Sequence, residues 1–359
     1  MSNLYFDQLP LEITDEIFAY LDTLPFDSTT LKACALVNKA WLYASRRIFF
    51  RSVDMRLLRK LQESGRKLLE TVTVHAREVR VSPPYSRSWM AKDTDDFQSA
   101  VLILPRLTLL NCLVLNRIKW TEFKTQVEME GLFSVIGYRI TSLRILRNSF
   151  RDVLHFIRLL RAFPALTELT ILLVMTEEAD SRDIKAPSMK RHSHGVPPKT
   201  LKVVHFQSAH QCLTRAFMTW LETGRVPLTK LALGGIGFRP TKELRNTLYS
   251  AGSQLKYLHL YPLSGAFNPG WGNIAAGKEF LDLRKNNMLE MIKLESVMKE
   301  DGLPLLSVIF RRVTSQSLET IVLPSMLRRD TRTTLLKMEI LERLNDIEAF
   351  KCAKNVIIP

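Results

Sequence analysis

Two histidines, in the stretch His192-Ser193-His194, are the nearest approach to a metal-binding pair in this chain. A structural or catalytic metal needs three or four ligands of matched type, and no Cys or carboxylate stands at ligand spacing beside these two. The segment is polar and Pro-rich, so it reads as a loop. A Gly-Gly-Ile-Gly run, Gly234 to Gly237, would suit a phosphate cradle if Lys and Ser or Thr followed. They do not, and a turn after a strand is expected there. Ser, His and Asp occur without a G-x-S-x-G elbow or a similar frame. Cys34, Cys112, Cys212 and Cys352 are scattered, with no C-x-x-C pair, which argues against a disulfide framework and against a zinc knuckle. No catalytic residue, no metal site and no cofactor is expected. The chemistry that remains is that of charge and recognition.

The charge is unevenly placed. The 359 residues hold 51 Lys and Arg against 36 Asp and Glu, a net of +15. Residues 1–50 hold four basic groups and six acidic ones, a net of −2, so the remaining 309 residues carry +17. That balance favours an acidic partner. Nucleic acid is not expected, because no stripe of aromatics alternates with Arg or Lys across a compact sheet. The run Lys190 to His194 is too short to mark nuclear import. No apolar run approaches the roughly 20 residues of a membrane span, and the N-terminus lacks a basic-then-apolar signal pattern. A cytoplasmic or nuclear protein without a membrane partner is expected.

The elements that must position these charges repeat along the chain. The pattern apolar-x-x-apolar-x-apolar-x-x-apolar begins at residues 76, 110, 140, 166, 201, 228, 255, 289, 318 and 347, at intervals of 26 to 35 residues. "LTELTILLV" (Leu166, Leu169, Ile171, Val174) and "LKYLHLYPL" (Leu255, Leu258, Leu260, Leu263) are clear copies; those at Ala76 and Ile347 are weaker. The three longest intervals hold three insertions, at 82–96, 175–198 and 264–277. Stretches such as "RDVLHFIRLLRAF" carry a helical stripe of Val153, Phe156, Ile157 and Leu160 between strands.

Alternate strand residues point to opposite sides, so the paired apolar positions face a core and the residue between them faces outward. That outward row is Arg80, Val114, Arg144, Thr170, His205, Ala232, His259, Lys293, Val322 and Lys351. None is acidic. Tyr257, Tyr261 and Lys230 flank it, interrupted by Glu78, Glu168 and Glu295. Arg80, Arg144, His205, Tyr257, His259, Tyr261 and Lys293 are therefore the candidate residues for holding an acidic or phosphorylated protein substrate. No single repeat can bury its own apolar face, so neighbours must stack.

The first fifty residues differ. "LPLEITDEIFAYL" reads as a short amphipathic helix with Ile13, Ile17 and Leu21 on one stripe, Pro10 in the first turn, and Glu12, Asp15 and Glu16 at the positive end of the helix dipole. After a turn, "LKACALVNKAWLYASRRIFF" carries Leu31, Cys34, Val37 and Trp41. This is more apolar surface than a few short helices can bury among themselves. It predicts either a cap packed on the rest of the chain or a docking module.

These residues carry a resemblance. Leu9-Pro10, Glu12-Ile13, Ile17, Leu21, Leu31, Cys34, Val37, Trp41 and the closing "IFFRSV" resemble an F-box; Asn38 is the one departure from its motif. The repeats resemble the irregular leucine-rich repeats that often follow F-boxes, although only the copies at 140 and 347 place an Asn at the fourth position. The resemblance implies an α/β chain with a helical F-box over residues 1–53. A leucine-rich-repeat solenoid with a curved parallel sheet and outer helices would fill residues 54–359. It also implies a non-catalytic role as the substrate-recognition subunit of a ubiquitin ligase. Leu9, Pro10, Ile13, Ile17, Leu21, Leu31, Cys34, Val37 and Trp41 would match positions that bind a Skp-type adaptor, and through it a cullin, or that form the box core. The rival expectations are an F-box scaffold acting outside ubiquitination, and a small-molecule receptor or enzyme built on the repeats near Phe267 and Trp271.

Overall fold

A computed structural model of the chain describes residues 10–23, 28–64, 66–83, 101–122, 133, 135–177, 195–208, 210–234, 241–261, 282–294, 297–298, 310–323, 325–326, 342, 344 and 347–357. Leu9, the His192–His194 pair, Gly235 to Gly237, Phe267, Trp271 and Glu295 lie outside these residues, as does most of each insertion. The chain divides into two compact units, Met1–Asn116 and Arg117–Pro359.

The first unit opens with three helices, α1 (Leu11–Thr23), α2 (Ser28–Cys34) and α3 (Lys39–Phe49). Asn38 starts α3: its side-chain oxygen accepts a hydrogen bond from Trp41 N at 2.9 Å. The residue that departs from the F-box motif is thus an N-cap, satisfying one of the donors that a helix start leaves bare. Strand β1 (Ser52–Asp54), helices α4 (Met55–Ser64) and α5 (Arg66–Thr73), and strands β2 (Glu78–Val81) and β3 (Cys112–Asn116) follow. All three strands are parallel, with Val53 opposite Val79 and Val79 opposite Leu113. The repeat pattern begins at Ala76 and did not foresee β1, which straddles the division by role expected at residues 53 and 54.

The second unit is a larger parallel sheet. Its strands in order are β4 (Ser142–Leu146), β6 (Glu168–Leu172), β8 (Val203–Gln207), β9 (Lys230–Gly234), β10 (Tyr257–Tyr261), β11 (Met291–Leu294), β13 (Thr320–Val322) and β15 (Asn355–Ile357). Equivalent repeat positions lie side by side: Leu143, Leu169, Val204, Leu231, Leu258, Ile292 and Ile321 form one row. Every residue of that row is buried. Short pairs extend the strand ends, β5 (Ser149–Phe150) with β7 (Met175–Thr176), and β12 (Val297–Met298) with β14 (Ser325–Met326). Helices α6 (Val153–Arg161), α7 (Gln211–Gly224) and α8 (Thr241–Ala251) connect strands. They cover the apolar side: Phe217 of α7 stacks on Phe206 of β8 with centroids 4.5 Å apart, and Phe156 of α6 meets Phe150 edge to face. The structure is therefore α/β with large parallel sheets and helices.

The tenth repeat falls differently from its expectation. Residues 348–352, expected to form a strand with Lys351 facing outward, form helix α9 (Glu348–Cys352). Ile347 and Phe350 are both buried and stand three apart, a helical spacing that outweighs the strand-like alternation. The last strand, β15, lies later, and Ile357, not Lys351, continues the outward row opposite Val322.

Buried polar side chains join successive repeats. Asn148, fully buried, accepts from Ile118 N and donates to Leu146 O. Ser208 donates to Val174 O, Asn286 to Leu248 O and Gly252 O, and Ser315 to Leu289 O. These bonds give the buried side chains hydrogen-bond partners.

Candidate functional site

Two surfaces hold the residues singled out by the sequence. The first is the helical box. Its centre is Phe18, Leu31, Trp41 and Ala44, with Ile17, Leu21, Cys34, Ile48 and Phe49 packed around them. Phe18 was not foreseen; its ring meets Trp41 edge to face at 5.4 Å. The stripe Ile13-Ile17-Leu21 reads as the buried face of α1, but the helix turns so that Thr14 and Phe18 point inward. The larger aromatic side chain gains more from burial than Ile13 does, and the rotation leaves Ile13 outside.

The structure thus separates the eight described residues of the box set, Leu9 lying outside the described residues. Leu31 and Trp41 are buried; Ile17, Leu21 and Cys34 are half-buried. Pro10 is exposed, as are Ile13 (41%) and Val37 (42%). Leu36 is 87% exposed in the turn between α2 and α3. Ile13 on α1 and Leu36 and Val37 in the turn are thus apolar side chains left in water. Burial pushes the Cys34 thiol pKa up despite a backbone hydrogen bond, so it stays protonated and acts as a small apolar group. Arg47 bonds Asp15 at 3.3 Å, linking α3 to α1 through an exposed pair of small energetic weight.

The second surface is the outward face of the sheet. In the second unit the register aligns Arg144, Thr170, His205, Ala232, His259, Lys293 and Val322 in one row. Arg144 is exposed, and Thr170, His205, His259 and Lys293 are half-buried. The row's middle is more enclosed than expected. Tyr261 lies across Gly234 on the neighbouring strand, where an added Cβ would stand 2.0 Å from its ring. Its hydroxyl reaches past β9 to hydrogen-bond His205 Nε2, and its ring sits 4.8 Å from that of His259. Only glycine permits this crossing.

Enclosure changes the chemistry. Burial, then the charges of His259 and Lys230, hold His205 below the ordinary histidine pKa. His205 therefore gains a proton, and with it an attraction for anions, only at a pH below the usual histidine range. Tyr257 is directed at Glu290, which also bonds Lys256 Nζ at 2.7 Å, placing a carboxylate at that end of the row. The sheet face therefore places Arg144 and Lys293 on either side of a half-buried centre of His205, Tyr261 and His259.

Arg80 belongs to the first unit and faces outward on β2. Its Nε bonds Glu78 at 2.6 Å, and Glu78 also accepts from Ser52 and Cys112. Burial acts to raise the Glu78 pKa, but the bonds from Arg80 and Ser52 outweigh it and hold the carboxyl below its usual range. Arg80 thus already carries a carboxylate partner.

Among the described residues no group of three or more His, Cys, Asp or Glu could hold a metal ion, and no helix is long and apolar enough to cross a membrane. The chain matches no protein-family model and no curated protein.

Proposed function

We propose that this protein is a substrate-recognition adaptor of a Skp–cullin–F-box ubiquitin ligase. The box helices would bind a Skp-type adaptor and the repeat sheet would hold a protein substrate. The observation that carries this reading is the exposure of Pro10, Ile13, Leu36 and Val37 on a three-helix cluster whose own core is only Phe18, Leu31, Trp41, Ala44 and their neighbours. The motif resemblance supplies the identity of the partner; the exposed side chains supply a surface for it.

The chain performs no covalent step in this reading. It raises the local concentration of a substrate lysine near the charged conjugating enzyme. The parallel sheet, read as an irregular leucine-rich-repeat solenoid, presents Arg144 and Lys293 to an acidic or phosphorylated segment of the substrate. Arginine can grip a carboxylate or phosphate through two parallel hydrogen bonds.

The test is co-purification of the full chain with a Skp-type adaptor. Replacing Leu9 and Pro10 by Ala should abolish the association while the unfolding transition of the sheet is kept. Undiminished co-purification of that variant would overturn the reading. For the substrate side, Arg144→Glu with Lys293→Glu should weaken capture of the bound protein in a salt-sensitive way.

A further inference from the structure

The strand ends of the second unit carry a repeated backbone strain. Arg117, Arg147 and Leu173 each stand immediately after a strand and each adopts a left-handed conformation, with φ of 56°, 54° and 55°. Residues with a Cβ avoid this region, and glycine or asparagine is the usual occupant. Each is held there by its neighbour. Arg117 N donates to Leu146 O, Arg147 N to Leu172 O, and Leu173 N to Gln207 O, all at 2.8 Å. The three residues therefore stand at one level on successive repeats, about 4.8 Å apart along the hydrogen-bonding direction.

All three are exposed. A left-handed turn needs no arginine, so the turn alone does not account for Arg117 and Arg147. The next outward level holds Lys119, Ser149 and Met175, aligned by the β5–β7 pair and the Lys119–Ser149 bridge. Arg151 and Glu177 follow them, and Glu177 accepts from Thr121 at 3.1 Å. Among the described residues Arg117, Lys119, Arg147 and Arg151 have no ion-pair partner. Beside them Leu173 is 44% and Met175 51% exposed. The rim thus joins adjacent cations to an open apolar step.

We propose that this rim binds a phosphorylated protein segment, its phosphate between Arg117 and Arg147 and an apolar side chain two residues away on Leu173 and Met175. One arginine satisfies a carboxylate; two arginines one strand apart, with Lys119 beside them, match the charge and the acceptor oxygens of a phosphate. Two residues of extended chain span about 6.6 Å, between one and two strand spacings, which suits a step from the arginines to Leu173. This surface is separate from the row containing Arg144 and Lys293, and the proposal does not rest on the adaptor reading.

Glycine is the informative substitution, because it removes the side chain at a backbone conformation it adopts without strain. Short fluorescent peptides carrying phosphoserine, with leucine two residues after or two before it, are titrated against the full chain. Peptides with unmodified serine serve as controls. The wild type should bind one phosphopeptide at least about tenfold tighter than its serine form. Arg117→Gly with Arg147→Gly should lose that preference while its melting temperature stays level or rises. Leu173→Ser with Met175→Ser should weaken binding and keep the phosphate preference. Absence of a phosphate preference, binding that survives the double glycine change, or loss of binding only through a lowered melting temperature would each overturn the proposal. Equal competition by duplex DNA with no effect of Leu173 and Met175 would instead make the rim a nucleic-acid contact.

Discussion

The box helices and the repeat sheet treat apolar side chains in opposite ways. In the sheet the core-facing row is closed: Leu143, Leu169, Val204, Leu231, Leu258, Ile292 and Ile321 are buried, and α7 stacks Phe217 on Phe206 behind them. Asn148 and Ser208, polar and buried in that core, make hydrogen bonds to backbone groups. In the box, α1 to α3 centre on the buried apolar side chains Phe18, Leu31, Trp41 and Ala44, while Ile13, Leu36 and Val37 stand in water. A three-helix segment of roughly 40 residues cannot bury enough surface to be independently stable. Its apolar exterior is where we place the partner.

Substitutions should divide along this line. The largest effect is expected in the sheet: Leu258→Ala should cost roughly 2–5 kcal/mol in denaturant unfolding. Asn148→Ala should follow, at about 1–3 kcal/mol, because it strands the buried Ile118 N–H and removes one of the bonds to the Leu146 carbonyl. A smaller loss, about 1 kcal/mol, is expected for Asn38→Ala, confined to the box helices and visible as lost helicity before the main transition. A sheet variant as mild as the cap variant would break the contrast.

The smallest effect is on the pH dependence. Burial, joined by the charges of Arg46 and Arg47, lowers the His75 pKa; burial, His259 and Lys230 lower that of His205. A histidine with a depressed folded pKa binds fewer protons folded than unfolded. Its contribution is intact above about pH 6.5 and is lost as pH falls toward the folded value. Stability should therefore decline on acidification below that point. Replacing His75 or His205 by Gln should flatten the decline in its own unit; an unchanged slope in both variants would refute the assignment.

The L-x-L spacing made most strands legible, because each pair of apolar residues has one possible side to face. It failed at Ile347, where Phe350 could satisfy either period, and at β1, whose three residues are too short to show alternation. In the box, Ile13, Ile17 and Phe18 all fit a helical face, and only packing against Trp41 decides for Phe18. Tyr261 crossing Gly234 to His205 spans three strands, so no local pattern could announce it. Arg117 and Arg147 gave no signal either, since a left-handed arginine looks like any other surface cation.

The central claim is that the exposed box surface binds a partner and contributes little to folding. The direct measurement is calorimetric titration of a purified Skp-type adaptor into the full chain, wild type and Ile13→Asp with Val37→Asp, beside thermal unfolding of both proteins. The account predicts one-to-one binding by the wild type, no measurable binding by the variant, and unfolding free energies within about 0.5 kcal/mol of each other. Equal adaptor binding by both proteins, or a variant that loses binding only because it unfolds, would contradict it.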